Sequence, residues 1–280
     1  MKQSNIFRTV ALSAGVAAAM SFSLVSCGGS QAKQTPVADT THADTVVAEA
    51  PEPAEPHWAY EGEKGPERWA TICDEYSSCA GHSQSPIDLK GGTLAKGLGD
   101  LKTMYADSMS FSAVNNGHTV QVNIAEEGKL TIAGRTYSIK QFHFHATSEH
   151  TINGAKFPME AHLVHADDSG HIAVIGVMFT EGKENPFLAK FINALPAKAE
   201  TDTTANIKFS LANLFPKDKA YFRYTGSLTT PPCTEGVTWT VLKTPVTASK
   251  EQIAKMANMM PEENARPVQP IGDRKIEMSK

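Results

Sequence analysis

The sequence predicts one mainly β (α+β) domain with a few short helices, on three observations. Short segments that alternate apolar and polar residues, such as Val120–Ile124 and 172–179, recur between Gly, Asn and Asp turns. Helical periodicity with a start signal occurs in only two places. Roughly 220 residues follow an N-terminal segment that is unsuited to folding, and they are enough for one substantial core.

The composition excludes some classes of protein. Hydrophobic residues make up 41% of the chain and charged residues 20%, which is typical of a globular protein. The net charge of −4 argues against a nucleic-acid partner. Whether the protein is a monomer or a homodimer stays open at this point.

Residues 1–26 are predicted to be a secretory lipoprotein signal peptide. Lys2 and Arg8 precede an apolar run over residues 10–25, which is too short to span a membrane comfortably. The run ends in Leu-Val-Ser before Cys27 and resembles a bacterial lipobox. We therefore expect cleavage before Cys27 and lipidation of its thiol. Acyl chains would then anchor the protein in the bacterial cell envelope, on the extracytoplasmic side of a membrane.

Residues 27–56 are predicted to be a disordered acidic tether, and residues 57–280 the folded domain. The segment 28–56 has no aromatic residue and carries five acidic residues against one lysine. Such a segment cannot bury enough apolar surface to fold.

Two helices are predicted in the second half of the domain. Asn185 and Pro186 provide a cap and an N1 proline, and an apolar stripe follows: Leu188, Phe191, Ile192 and Leu195. Ser249 and Gln252 form a capping box at the start of a second helix, which we expect to end at Pro261.

Three histidines on predicted strands form a candidate metal site. His143 and His145 lie two residues apart, so they share one face of a strand, and His162 lies on the next strand. Antiparallel pairing would bring the three imidazoles together, as in a catalytic zinc site with an open fourth position. A lone strand histidine is more often an ordinary core or surface residue. However, Gln141 and Glu160 each precede a ligand by two residues and could bond its second ring nitrogen.

The motifs around these histidines resemble the α-class carbonic anhydrases. The matching segments are QFHFH, SEHT, EAHLVH and SLTTPPCTEGVTWTVL, within a similarity that covers about four fifths of the chain. The resemblance implies a large, mostly antiparallel sheet with surface helices and a Zn²⁺ ion at the bottom of a conical cleft. It also implies reversible hydration of carbon dioxide to bicarbonate and a proton by zinc-bound hydroxide.

The resemblance assigns further roles residue by residue. Thr229 and Glu149 match the pair that orients the hydroxide, and Thr230 matches the position that contacts bicarbonate. His118 matches the proton shuttle. Asn264 matches an outer position that acts through its backbone, so its side chain need not matter. The apolar wall of the substrate site is implied to be Val164, Val174, Leu228, Val237 and Trp239. His150, His165 and His171 lack such a context and stay outside the predicted site.

The resemblance also has implications for the cysteines, and the chain differs from the family pattern at one position beside the predicted ligands. It implies a disulfide between Cys79 and Cys233, with Cys73 as a leftover or competing partner. It further implies cis peptide bonds before Pro86 and Pro232. The family usually has Trp directly after the second histidine, whereas this chain has Ala146, which is expected to weaken metal retention.

Two other function classes are less well supported. A catalytically weak or inert binding module of the same fold would be expected to have lost a ligand histidine, but this chain retains all three. A zinc-storage or transport protein would be expected to carry a His-rich tract, and none is present.

The lipid anchor can be tested by metabolic labelling with a palmitate analogue. We expect the wild-type chain to be labelled and to sediment with membranes, and Cys27→Ser to lose both properties because the acylated thiol is gone. Cys73→Ser is the control and should keep the label. Equal labelling of Cys27→Ser and wild type would refute the anchor.

Overall fold

The computed structural model describes residues 57–125, 128–261 and 263–280. The described strands are β1 (Asp88–Leu89), β2 (Thr93–Leu94), β3 (Lys102–Tyr105), β4 (Met109–Asn115), β5 (Val120–Ile124), β6 (Gly128–Ile132), β7 (Arg135–His145), β8 (Thr151–Ile152), β9 (Met159–Ala166), β10 (Ile172–Glu181), β11 (Thr201–Phe209), β12 (Tyr221–Ser227), β13 (Glu235–Leu242), β14 (Val246–Ala248) and β15 (Glu277–Met278). The α-helices are α1 (Pro186–Phe191) and α2 (Lys250–Ala257), and 3₁₀ helices span Gly62–Lys64, Trp69–Thr71, Asp74–Ala80, Ile192–Ala194 and Leu211–Leu214.

Thirteen of these strands form one sheet. Its main path runs β11-β4-β5-β7-β9-β10-β13-β12-β15-β2, with β6 and β14 attached to β7 and β10, and β3 attached to β6. Most neighbours are antiparallel, but β10 pairs in parallel with β13 and β14, and β15 pairs in parallel with β2. The prediction of a mainly β fold with a large, mostly antiparallel sheet and short helices is confirmed.

A β-bulge in β7 determines which of its residues face the core. Ile139 lies opposite His165 and Gln141 lies opposite Val164, so Lys140 is the extra residue. Because side chains alternate along a strand, one extra residue reverses the pattern beyond it. The apolar core therefore receives odd-numbered residues before the bulge, Tyr137 and Ile139, and even-numbered residues after it, Phe142 and Phe144. The odd-numbered residues after the bulge face the other side of the sheet.

Both faces of β9 are covered, although its residues differ in chemistry from one face to the other. Met159, Ala161 and Leu163 belong to the same apolar core as β7. Glu160 and His162 alternate with them and are also buried, at 0% and 1% exposure. Strand alternation thus places a buried carboxylate and a buried imidazole side by side on the face away from the core.

The two predicted helices begin where their capping residues indicate. The Asn185 side chain accepts hydrogen bonds from the backbone N–H groups of Phe187 and Leu188, and Ser249 and Gln252 complete a capping box. The helices are also tied to each other, since Asn185 N–H donates to Gln252 Oε1 at 2.7 Å. The first helix is shorter than its stripe suggested, because α1 ends at Phe191 and a 3₁₀ turn follows. The second ends at Ala257, before Pro261.

The disulfide between Cys79 and Cys233 is present, as predicted, and it joins residues 154 positions apart. The prediction that Cys73 would be left over or would compete for this bridge is wrong, because Cys79 and Cys233 pair with each other and no free cysteine is found among the described residues. The peptide bonds before Pro86 and Pro232 are cis, also as predicted, and the bond between Ala146 and Thr147 is cis as well.

The predictions for the N-terminal segment concern residues before the first described residue, His57. The signal peptide over 1–26, the tether over 27–56 and the lipidation of Cys27 lie outside the described residues, so they stay predictions. Within the described ranges, no helix is both long enough and apolar enough to cross a membrane.

Removal of the disulfide should destabilise the domain. The bridge closes a loop of 154 residues and so restricts the unfolded chain. We expect the double variant Cys79→Ser/Cys233→Ser to lose about 2–5 kcal/mol of unfolding free energy. Urea unfolding of the full chain measures this loss, and Ser78→Ala is the control for a change beside the bridge. An unchanged unfolding midpoint would contradict the prediction.

Candidate active site

The three predicted ligand histidines converge on neighbouring strands. β7 and β9 pair antiparallel with His143 directly opposite His162, and His145 follows two residues along β7. One nitrogen from each ring lies within 4.8 Å of the others. The bulge turns His143 and His145 away from the apolar core, and ordinary alternation along β9 turns His162 the same way, so the three side chains meet on one face of the sheet.

Outer partners fix which nitrogen of each ring faces the common centre. His143 Nδ1 lies 2.8 Å from Gln141 Oε1, and His145 Nδ1 lies 2.6 Å from the Asn264 carbonyl oxygen, which leaves both Nε2 atoms free. His162 is oriented in the opposite sense. Its Nε2 faces Glu160 Oε1 at 2.9 Å, so its Nδ1 is the atom that faces the common centre.

The unmatched polar atoms at this centre fit a bound cation. His145 Nε2 and Glu149 Oε2 are buried, have no hydrogen-bond partner and lie 3.4 Å apart. Buried polar atoms without partners are costly; a divalent ion held by three imidazoles would bind the lone pair of His145 Nε2, and its positive charge would stabilise the nearby Glu149 carboxylate. Burial also favours the neutral, ligating form of the histidines, since desolvation lowers the pKa of His145 to about 4.

Glu160 is the centre of a buried polar network. Its Oε2 accepts hydrogen bonds from the backbone N–H groups of Glu149 and His150, both at 2.9 Å, and its Oε1 lies 2.9 Å from His150 Nδ1. Desolvation would raise the pKa of Glu160, but His150 and His162 outweigh it and hold the pKa well below its usual value. Glu160 is therefore an anion that orients its neighbours. A second group of side chains is also close enough together to hold a metal: His150, Glu160 and His162. However, the hydrogen bonds described above already occupy both carboxylate oxygens of Glu160.

His150, which was left out of the predicted site, links the network to two other strands. Its Nε2 lies 2.6 Å from the Tyr224 hydroxyl, and this hydroxyl lies 2.8 Å from Ser85 Oγ. Ser85 and Tyr224 are separated from His150 by more than sixty residues of sequence, so no local pattern reveals the contact. The one signal available was that His150 directly follows Glu149 in the SEHT motif.

Glu149 lies between the candidate metal centre and Thr229. It is fully buried; its Oε1 accepts a hydrogen bond of 2.9 Å from Arg266 N–H, and its Oε2 lies 3.8 Å from His162 Nδ1. Desolvation raises the pKa of Glu149 to about 7, although His162, the Thr229 hydroxyl and Arg266 N–H each act to lower it. A cation at the centre would favour the carboxylate further.

Arg266 is a second residue that the sequence did not indicate. Its guanidinium is buried and donates to the carbonyl oxygens of Ser85 and Cys79, and it lies over the Trp69 ring at 5.4 Å. These contacts hold the backbone whose N–H group bonds Glu149. Desolvation lowers the pKa of Arg266 to about 10, so the guanidinium stays positively charged at neutral pH.

The predicted apolar wall forms one cluster on the same side of the sheet as the histidines. Leu228 packs against its buried members, which include Val164, Val174, Val237 and Trp239. The Trp239 ring lies 4.8 Å from the His162 ring. Thr229 and Thr230 follow the end of β12, and the Thr230 carbonyl oxygen accepts a hydrogen bond from Cys233 N–H. The disulfide is thus attached to the loop that carries both threonines.

Asn264 makes contacts through its side chain as well as its backbone, which the sequence did not indicate. Its Nδ2 donates to the carbonyl oxygens of Phe144 and His118, and its Oδ1 accepts from Ala146 N–H at 2.8 Å. This amide therefore fixes the chain on both sides of His145, including the position at which Ala146 replaces the expected tryptophan.

His118 is buried rather than exposed to solvent. Only 9% of its surface is accessible, and its ring stacks on Trp58 at 3.7 Å and on His57 at 4.9 Å. Desolvation, with a smaller effect of His57, lowers the pKa of His118 to about 4. An unperturbed histidine has a pKa of about 6.5 and exchanges protons readily near neutral pH, so in this position His118 is a weaker base than an ordinary histidine.

Comparison with known proteins agrees with this geometry. The family model described as eukaryotic-type carbonic anhydrase matches residues 64–280. The chain belongs to the α-carbonic anhydrase family. It is 44% identical to a carbonic anhydrase of Klebsiella pneumoniae over 79% of this chain and 90% of that protein. It is also 44% identical to one of Neisseria gonorrhoeae over 79% of this chain and 87% of that protein.

A solved structure gives the same result. The α-carbonic anhydrase of Thermovibrio ammonificans, in complex with the inhibitor sulfanilamide, matches 79% of this chain and 98% of its own, with a TM-score of 0.76 and 43% identity. The prediction that the chain is a carbonic anhydrase is confirmed.

The outer partners of this carbonic anhydrase should control its affinity for zinc. Glu160→Gln removes the negative charge that faces His162 and orients His150, so we expect zinc affinity to fall by about 10–100-fold. Competition with a chromogenic chelator measures the affinity, and circular dichroism checks the fold. Glu181→Gln changes an exposed residue of β10 and should leave the affinity unchanged. Equal affinity of Glu160→Gln and wild type would refute this role.

Proposed function

We propose that this α-carbonic anhydrase catalyses the reversible hydration of carbon dioxide, with zinc held by His143 Nε2, His145 Nε2 and His162 Nδ1. The observation that carries the proposal is the convergence of these nitrogens, each set by an outer partner, beside an apolar cluster. When bound, zinc supplies the Lewis acidity that ionises water near neutral pH, a general property of carbonic anhydrases rather than a result of this geometry.

Thr229 and Glu149 orient the attacking water oxygen. The Thr229 hydroxyl donates its proton to the buried carboxylate of Glu149, so its own oxygen is left to accept a hydrogen bond. Arg266 N–H donates to Glu149 Oε1 and helps to hold the carboxylate in place. This arrangement gives the nucleophile one preferred direction, which aims a lone pair at the carbon atom.

The apolar cluster binds the substrate on the other side of the centre. Carbon dioxide has no net dipole, so contacts with Val164, Val174 and Trp239 hold it without competition from water. Leu228 and Val237 complete this surface. Thr230 contacts the bicarbonate product at the end of β12.

His118 accepts the proton that hydration releases. It is neutral at neutral pH, which is the form that can accept a proton. Its buried Nε2 has no hydrogen-bond partner among the described residues, so this atom has an unused position for the proton. Its low pKa means that the protonated ring is short-lived and must pass the proton on.

The cellular location follows from the disulfide and the predicted signal. Disulfides persist in oxidising compartments, so the Cys79–Cys233 bridge supports an extracytoplasmic location. We propose that Cys27 carries a lipid anchor and that the enzyme is held in the bacterial cell envelope. The inert binding module is the less favoured alternative, because the chain retains His143, His145, His162 and the Thr229–Glu149 pair.

Stopped-flow carbon dioxide hydration by the purified full chain tests this proposal, with zinc quantified on the same sample. We expect one zinc per chain and rapid hydration that chelation abolishes, that zinc restores and that sulfanilamide inhibits. His162→Ala should lose both zinc and activity, because it removes one of three ligands. His171→Ala, at an exposed histidine, is the control and should lose neither. A folded, zinc-loaded chain without hydration activity would overturn the proposal.

A further inference from the structure

We propose that His57 is the residue through which His118 exchanges protons with solvent. The proposal extends the function proposed above and rests on it. The two imidazoles then form an inner and an outer station for proton export. His57 has the position and the exposure for the outer station, and His118 has the position for the inner one.

The positions of the two rings differ in the way that a relay requires. The rings stack with centroids 4.9 Å apart and planes 27° apart. His57 is exposed, whereas His118 lies beneath the neighbouring aromatic rings with 9% exposure. A proton on His118 is thus close to bulk water but is shielded from it by the residues that cover the ring.

His57 is the one ring partner of His118, among the described residues, that can carry the proton. Trp58 stacks on His118 at 3.7 Å, but an indole N–H group is only a donor. Tyr60 lies at 6.3 Å, and desolvation together with Glu149 holds its pKa well above the ordinary value, so it stays protonated. An imidazole accepts and releases a proton without other chemistry.

Electrostatics favours transfer in the outward direction. A positive charge on buried His118 has lost most of its hydration, whereas the same charge on exposed His57 is hydrated. Two adjacent imidazolium ions repel each other, so the pair carries one proton at a time. Because stacked rings do not point their nitrogens at each other, the proton leaves a His118 nitrogen, crosses through water at the ring edges and binds a His57 nitrogen. Buffer then removes it.

The inner station is connected to the candidate metal centre through Asn264. The Asn264 side chain donates to the His118 carbonyl oxygen at 3.2 Å, and its own carbonyl oxygen lies 2.6 Å from His145 Nδ1. This contact fixes the distance between the segment that carries His118 and one ligand histidine. The relay therefore starts at a backbone position that is tied through one residue to a ligand histidine.

The test compares zinc-loaded full-length variants by two measurements. Stopped-flow turnover at low buffer concentration depends on proton export, whereas exchange of ¹⁸O between carbon dioxide and water also reports the interconversion step alone. His57→Phe retains a ring for stacking but cannot carry a proton, and His118→Ala removes the inner station. His171→Phe is the control at an exposed histidine.

We expect His57→Phe to lower turnover at low buffer by about tenfold, less than the ~100-fold of a general acid or base, because water still accepts some protons. The interconversion rate and kcat/KM should stay unchanged, and imidazole buffer should restore turnover. His118→Ala should show the same pattern, and the double variant should be no slower than the slower single variant, because both residues act in one path.

Three outcomes would overturn the relay. His57→Phe with wild-type turnover at low buffer would show that protons leave by another path. A fall in kcat/KM without rescue by imidazole would show that His57 has only a structural role. A wild-type protein without ¹⁸O exchange would overturn the proposed function and the relay with it, whereas normal exchange with an unaffected His57→Phe would overturn the relay alone.

Discussion

The antiparallel pairing of β7 with β9 determines where every candidate metal ligand lies. His143 faces His162 across this pair, and the bulge at Lys140 turns the histidines of β7 away from the apolar core. A shift of one residue would exchange the faces and place Phe142 and Phe144 where the imidazoles now meet. The apolar core on one side therefore holds the polar centre on the other side in register, and the same residues serve folding and chemistry.

Around this centre the protein buries two carboxylates, and hydrogen bonds to them offset the free-energy cost of removing their charge from water. Glu160 accepts hydrogen bonds from two backbone N–H groups and faces His150, while Glu149 faces Thr229 and Arg266 N–H. Isolated buried carboxylates would be protonated or would destabilise the fold. Because each carboxylate has donors on several segments, the positions of the histidines depend on residues distributed over much of the sequence.

The sequence could reveal features that depend on neighbours in the chain. Alternation placed His143 and His145 on one face, and the two-residue spacing of Gln141 made it a partner for an imidazole. The bulge at Lys140 has no local signal, because lysine is common at ordinary strand positions. His150 and Tyr224, which are in contact, lie 74 residues apart in the sequence. Trp58 and His118, whose rings stack, lie 60 residues apart. Such contacts are fixed by tertiary packing, which one sequence does not display.

The Cys79–Cys233 bridge divides the residues of the site into two groups. The covalent ring that it closes contains the three ligand histidines, Glu149 and Thr229. Asn264 and Arg266, which orient His145 and Glu149 through backbone groups, lie beyond the ring in the C-terminal segment. Fraying of that segment would leave the ring closed and the pairing of β7 with β9 intact, yet it would free one ligand and one carboxylate to rotate. The last twenty residues thus determine whether a folded domain also holds its active-site side chains in the correct orientation.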